Sequence, residues 1–178
     1  MKQKIITESH IEGDLIFDCD LIFRNNCHVI GDIRSGGDIR VYGNLRVYGN
    51  LSSMEDIVSS GNIISGKGIS SGEDIFSDGC IISDEDISSG GKISACGDIV
   101  AGKDIRAGKD IGSVGDIRAG GDIISGEDIF SVGRVSAGGD ISSGGNISSN
   151  KYISSGEDIL SVGRISAGVD INENYKGG

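Results

Sequence analysis

From Leu15 onward an aliphatic residue, replaced once by Cys27, returns at every sixth position, through Leu21, Ile33, Ile39 and Leu45 to Ile159, Ile165 and Ile171, giving twenty-seven anchors without an insertion or deletion. A fixed period with an aliphatic anchor in each unit is the mark of a repeat architecture, and a six-residue period predicts a parallel β-helix. From Ser53 through Ala167 the residue two after each anchor is Ser or Ala. Side chains two apart in a strand share a face, so anchor and small residue both point into the lumen and the residue between them points outward. The next two places are commonly Gly-Gly, Gly-Lys or Gly-Glu, as in Gly36-Gly37, Gly102-Lys103 and Gly126-Glu127. They read as corners, with glycine supplying a positive φ.

Three hexads close a triangle, so positions eighteen apart stack. Asn26, Asn44 and Asn62 hold that spacing just before their anchors, as do Asp86, Asp104, Asp122, Asp140 and Asp158. Stacked Asn side chains form favourable ladders. Stacked Asp carboxylates about 4.8 Å apart repel by roughly 1 kcal/mol in water, which a corner hydrogen bond from each, worth about 1 kcal/mol, offsets. The run at 126–138 recurs at 156–168, a shift that is not a whole number of triangular coils, so the faces must be nearly equivalent. The expected fold is all-β: a single triangular parallel β-solenoid with three six-residue faces per coil, about nine coils and roughly 43 Å long. Residues 1–12 read as an N-terminal cap segment, 13–171 as the solenoid and 172–178 as a short tail. In the first hexads Ile5, Ile11, Phe17, Phe23 and Val29 occupy the second inward position and are expected to plug the lumen.

Composition agrees with a thin repeat core. The 178 residues include 31 Gly, no Pro and no Trp, with 4% aromatic residues, which is poor material for a layered globule. The apolar fraction of 37% is regularly spaced, which argues for order over a Gly/Ser linker. A formal net charge of −11 disfavours nucleic acid or an anionic membrane as partners and leaves a basic partner open. No apolar stretch approaches membrane-spanning length and no signal-type apolar run follows the start, so a cytoplasmic protein is the expectation. Cys19, Cys27, Cys80 and Cys96 match neither a CxxC pair nor a disulfide framework and read as reduced thiols, with Cys27 a buried anchor.

Catalytic residues, cofactor and metal are each expected to be none. His10 and His28 are the only neutral-pH acid–base groups, and His28, just after its anchor, points outward. Glycine-rich stretches recur because corners need them and carry no dinucleotide signal. The Asp columns differ from calcium-binding β-rolls in period and in preceding an inward Ile. The outward residues vary too much for an ice-binding ladder. Hexapeptide acyltransferases place the small residue before the anchor and interrupt the repeat with loops, unlike this chain; a small-molecule substrate is therefore not expected. Among outward positions, Ile64, Ile82 and Val100 are predicted to stack on one face with Val58 and Phe76 beside them on the next, an apolar patch read as an interface. Arg34, Arg40 and Arg46 share one coil with Tyr42 and Tyr48.

The recurrent Gly-Asp-Ile-x-Ser/Ala unit, as in Gly31-Asp32-Ile33-Arg34-Ser35, Gly97-Asp98-Ile99-Val100-Ala101 and Gly115-Asp116-Ile117-Arg118-Ala119, resembles the bactofilins across most of residues 13–171. That resemblance implies a polymer-forming cytoskeletal protein whose right-handed triangular β-helix joins end to end without nucleotide. The chain departs in carrying Ser or Ala where bactofilins often have second aliphatics and in running over more coils. The expected function is a structural, self-associating scaffold or filament subunit, joined laterally or end to end. The alternative is an acidic rod that engages a basic protein, including as a mimic of DNA.

Overall fold

In the computed structural model, which describes residues 2–173, the chain forms twenty-nine short strands and, among these residues, no helix. They sort into three parallel sheets of ten, ten and nine strands. Face A runs from Gln3–Ile6 and Asp20–Phe23 by every third strand to Ile165–Ala167, face B from His10–Glu12 to Asp170–Glu173, and face C from Leu15–Phe17 to Ile159–Ser161. Each strand bonds to strands one coil away and never to its neighbours in sequence. Ile57 accordingly lies opposite Ile39 and Ile75, and Ile63 opposite Leu45 and Ile81, an eighteen-residue register. The run at 126–138 turns from face A to face B, whereas its near copy at 156–168 turns from face C to face A, so the faces are interchangeable in geometry.

The anchors fill the lumen. From Leu21 through Ile153 none is more than 1% exposed, and burying each contributes about 1.5–3 kcal/mol. The small residue two places on does more than fit. Ser77 Oγ donates to the Gly61 carbonyl one coil below at 2.6 Å and accepts the Gly79 N–H at 3.1 Å, and Ser65 relays between Gly49 and Lys67 in the same way. A buried hydroxyl without partners would be destabilising, and the relay removes that penalty. Where Ala stands in place of Ser only the direct corner bond is left: Gly97 N–H donates to the Gly79 carbonyl at 2.8 Å beside Ala95, and Lys109 N–H to the Gly91 carbonyl at 2.9 Å beside Ala107. That bond runs alongside the relay at Ser89 and Ser143, where the Gly91 and Gly145 N–H groups reach the Glu73 and Glu127 carbonyls at 3.0 and 2.9 Å.

Corner glycines are selected by space, which corrects the expectation of positive φ throughout. Only Gly13, Gly31 and Gly43 have positive φ among the described residues. At the edge between faces B and C, a Cβ on Gly102, Gly120, Gly138 or Gly156 would collide with the main-chain carbonyl of the residue eighteen before it. Gly72, Gly90, Gly108, Gly126 and Gly144 are confined in the same way at the edge between C and A. The third edge carries side chains instead: Tyr42, Ser60, Asp78, Cys96, Val114 and Val132.

The carboxylate columns are coil-to-coil ties. Asp86, Asp104, Asp122 and Asp140 each accept, through Oδ1, the main-chain N–H of the next Asp in the column at 2.8–3.1 Å. Asn26 and Asn44 do the same for Asn44 and Asn62 at 2.7 and 2.8 Å. Like charges are stacked because each carboxylate caps a corner donor that the turn leaves over.

The first coil differs from the hexad count. Lys4 pairs with Leu21, Ile5 with Ile22 and Ile6 with Phe23, one residue out of the eighteen-residue register that holds again at His10 opposite His28. A one-residue slip exchanges the faces of a strand. Ile6 is therefore the lumen residue, 4% exposed, and Ile5 faces outward at 44%. Phe23 and Val29 are fully buried, with Ile11 and Phe17 partly buried against them. Of the segment 172–178, Asn172 and Glu173 belong to the last strand of face B, and 174–178 lie outside the described residues.

Candidate interaction surfaces

Outward chemistry is confined to one side chain per strand and to the corners, so every candidate site is a surface made by stacking. Ile64, Ile82 and Val100 are register neighbours on face B, and Val58 and Phe76 are register neighbours on face A. The first three and Val58 are half-buried by packing along their columns, while Phe76 is exposed. Faces A and B meet at an edge formed by Ser60-Gly61-Asn62 and Asp78-Gly79-Cys80, so the five residues form two apolar strips around a corner and not one flat patch. On the face A side, Arg40, Tyr42, Val58, Ser60, Phe76 and Asp78 border a shallow groove of about 150 Å³.

The basic and aromatic coil is largely paired within itself. Arg40 binds Asp38, Arg46 lies over the Tyr48 ring at 5.4 Å, and Tyr42 receives Arg24 from the coil below at 5.4 Å. His10 and His28 are exposed register neighbours on face B, and the carboxylate near His10 is Glu12 at 3.9 Å. All four cysteines are free thiols; Cys27 is buried, and burial pushes its thiol pKa up. Cys80 stands in its column between Asn62 and Asp98, whose side-chain oxygens each cap the next coil, its Sγ taking the Asp98 N–H at 3.4 Å.

Basic residues enter the acidic columns at Lys92, Arg134 and Arg164. Arg134 turns back onto Asp116 with Nη2 at 2.9 Å and Nε at 3.2 Å, its main-chain N–H also reaches that carboxylate at 2.7 Å, and Arg118 binds the same Oδ2. Burial alone would push the Asp116 carboxyl up; the bonds from Arg134 and Arg118 outweigh it and bring the pKa down to about 2. On face A, Lys92 Nζ reaches Asp110 at 2.8 Å. Asp20, Asp38 and Glu55 converge within 4.8 Å, and the charge of Asp38 raises the Glu55 pKa, but Asp38 is already engaged by Arg40 and by the Asp56 N–H.

One feature escaped the reading of anchors and corners. Gly112 is the single glycine among the residues that immediately follow an anchor, and it sits on face A between Ser94 and Phe130. The gap there is a notch of about 320 Å³, lined by Lys92, Ser94, Asp110, Gly112, Asp128 and Phe130. The sequence signal was Gly112 itself, masked by thirty other glycines.

Among the described residues no helix is long and apolar enough to cross a membrane. A scan against protein-family models, a search of curated proteins and a search of solved structures gave no match to this chain.

Proposed function

We propose that this chain is a structural, self-associating rod, a scaffold or filament subunit without catalytic activity, acting in the cytoplasm. The observation that carries this reading is the in-register apolar ladder Ile64–Ile82–Val100 on face B, with Val58–Phe76 around the edge. Polar side chains elsewhere are largely committed to building the coil: Ser hydroxyls relay corners, and Asp and Asn oxygens cap them. Exposed apolar side chains also occur elsewhere on the rod, Met54, Val114, Val132 and Leu160 among them, but among the outward strand positions Ile64–Ile82–Val100 is a run of three in register, which favours burial against another surface, and a repeating rod offers the same strip on every copy. The likeness of the Gly-Asp-Ile-x-Ser/Ala unit to bactofilins points the same way.

Negative-stain electron microscopy with light scattering over a concentration series tests the reading. Elongated or paired rods with mass above the monomer are expected; single rods at every concentration would overturn it. The second reading, an acidic rod for a basic partner, is favoured by the net charge of −11 and the exposed corner carboxylates.

A further inference from the structure

Gly112 stands where a side chain belongs. A Cβ added there would meet nothing within 4 Å, in contrast to the crowded corner glycines, so packing does not require glycine at this position. Glycine inside a strand weakens it, and such a residue often marks close approach by a ligand or another backbone. Ser94 and Phe130 lie two coils apart, about 9.6 Å, and the missing side chain leaves a slot between them. The exposed Phe130 ring bounds it on one side.

The charge around the slot is negative. Lys92 is neutralised by Asp110 at 2.8 Å. Asp128 is exposed; its Oδ1 takes the N–H and Nδ2 of Asn146 at 2.6 and 3.1 Å, and no cation lies within ion-pair distance of it among the described residues. Glu127 is close enough to act on both Lys92 and Asp110. An aromatic ring, an uncompensated carboxylate and a vacant slot together fit a planar cation: a guanidinium stacks on an aromatic ring, gives up water more easily than an ammonium and presents a fork to a carboxylate.

We propose that the notch over Gly112 binds an arginine side chain presented by a basic partner polypeptide, a site that goes beyond the self-association reading. Nα-acetyl-arginine amide, titrated into isotope-labelled protein and followed by amide NMR, is the probe. Shifts should concentrate at Ser94, Gly112 and Phe130, and the neutral citrulline analogue should bind about tenfold more weakly or not at all. Gly112→Thr fills the slot at a position with room for it and should abolish the shifts while the remaining spectrum stays folded. Asp128→Asn keeps a corner acceptor, as Asn146 does in the same column, and should weaken binding several-fold. Equal binding of citrulline, unchanged binding by Gly112→Thr, or equal shifts along Asp86–Asp158 would overturn the site. A Gly112 signal that moves with protein concentration and not with probe would also overturn it, by making a second copy the occupant. A chain that stays monomeric yet gives the expected titration keeps the site and loses only the self-association reading.

Discussion

Ser77→Ala isolates what a lumen hydroxyl contributes. Ser77 is fully buried and relays between the Gly79 N–H and the Gly61 carbonyl at 3.1 and 2.6 Å. If the corner stayed rigid, the substitution would orphan a buried donor and a buried acceptor, at about 1–3 kcal/mol each. The next coil shows the corner can tighten: Ala95 lies opposite Ser77 in the same column, and there the Gly97 N–H reaches the Gly79 carbonyl directly at 2.8 Å. Val47 is accommodated similarly, with Gly49 N–H on the Gly31 carbonyl at 2.9 Å. Following that geometry, Ser77→Ala exchanges the two shorter bonds of the hydroxyl, and its long contact to the Cys80 carbonyl at 3.4 Å, for one direct bond and costs about 1 kcal/mol. Guanidinium denaturation should show a small fall in midpoint at unchanged slope, with the Gly79 amide still protected in hydrogen exchange. A loss above about 3 kcal/mol, or an unprotected Gly79 amide, would refute the argument that the corner re-forms without the hydroxyl.

Ile117→Asp places a charge in a lumen position that is fully buried, with no cation to meet it, and should abolish the cooperative melt seen by circular dichroism; a near-native melt would overturn the inward assignment. Asp116 has its folded pKa depressed to about 2 from 3.8, so its stabilisation is complete above the unfolded value and is lost as pH falls through the folded one. That contribution is about 2 kcal/mol at neutral pH. The stability difference between wild type and Asp116→Asn should therefore shrink between roughly pH 4 and 2 in urea melts, and a difference independent of pH would contradict it.

The anchors were legible because one aliphatic residue per six, repeated without slip, has a single geometric solution. The Asp and Asn columns were legible too, down to the corner hydrogen bond that makes a stack of carboxylates tolerable. Ser and Ala were legible only as small; that the hydroxyl is a relay depends on a carbonyl sixteen residues earlier, which no local pattern displays. Glycine misled, because Gly102 and its column are dictated by the carbonyl of the coil below and not by their own φ. The slip at Ile5 and Ile6 was hidden because both residues are isoleucine, so apolar patterning cannot choose which one faces the lumen. The apolar strips were found, but the edge dividing them appears only once the three faces are folded.

Self-association is tested most directly by sedimentation velocity of wild type beside Ile82→Arg/Phe76→Glu. Both substitutions are at outward positions, one on each strip, and leave the lumen untouched. Wild type should shift to higher mass as concentration rises, and the double variant should remain a folded monomer over the same range. Identical mass for both would remove these strips as the interface, and a monomeric wild type at every concentration would contradict the scaffold reading itself.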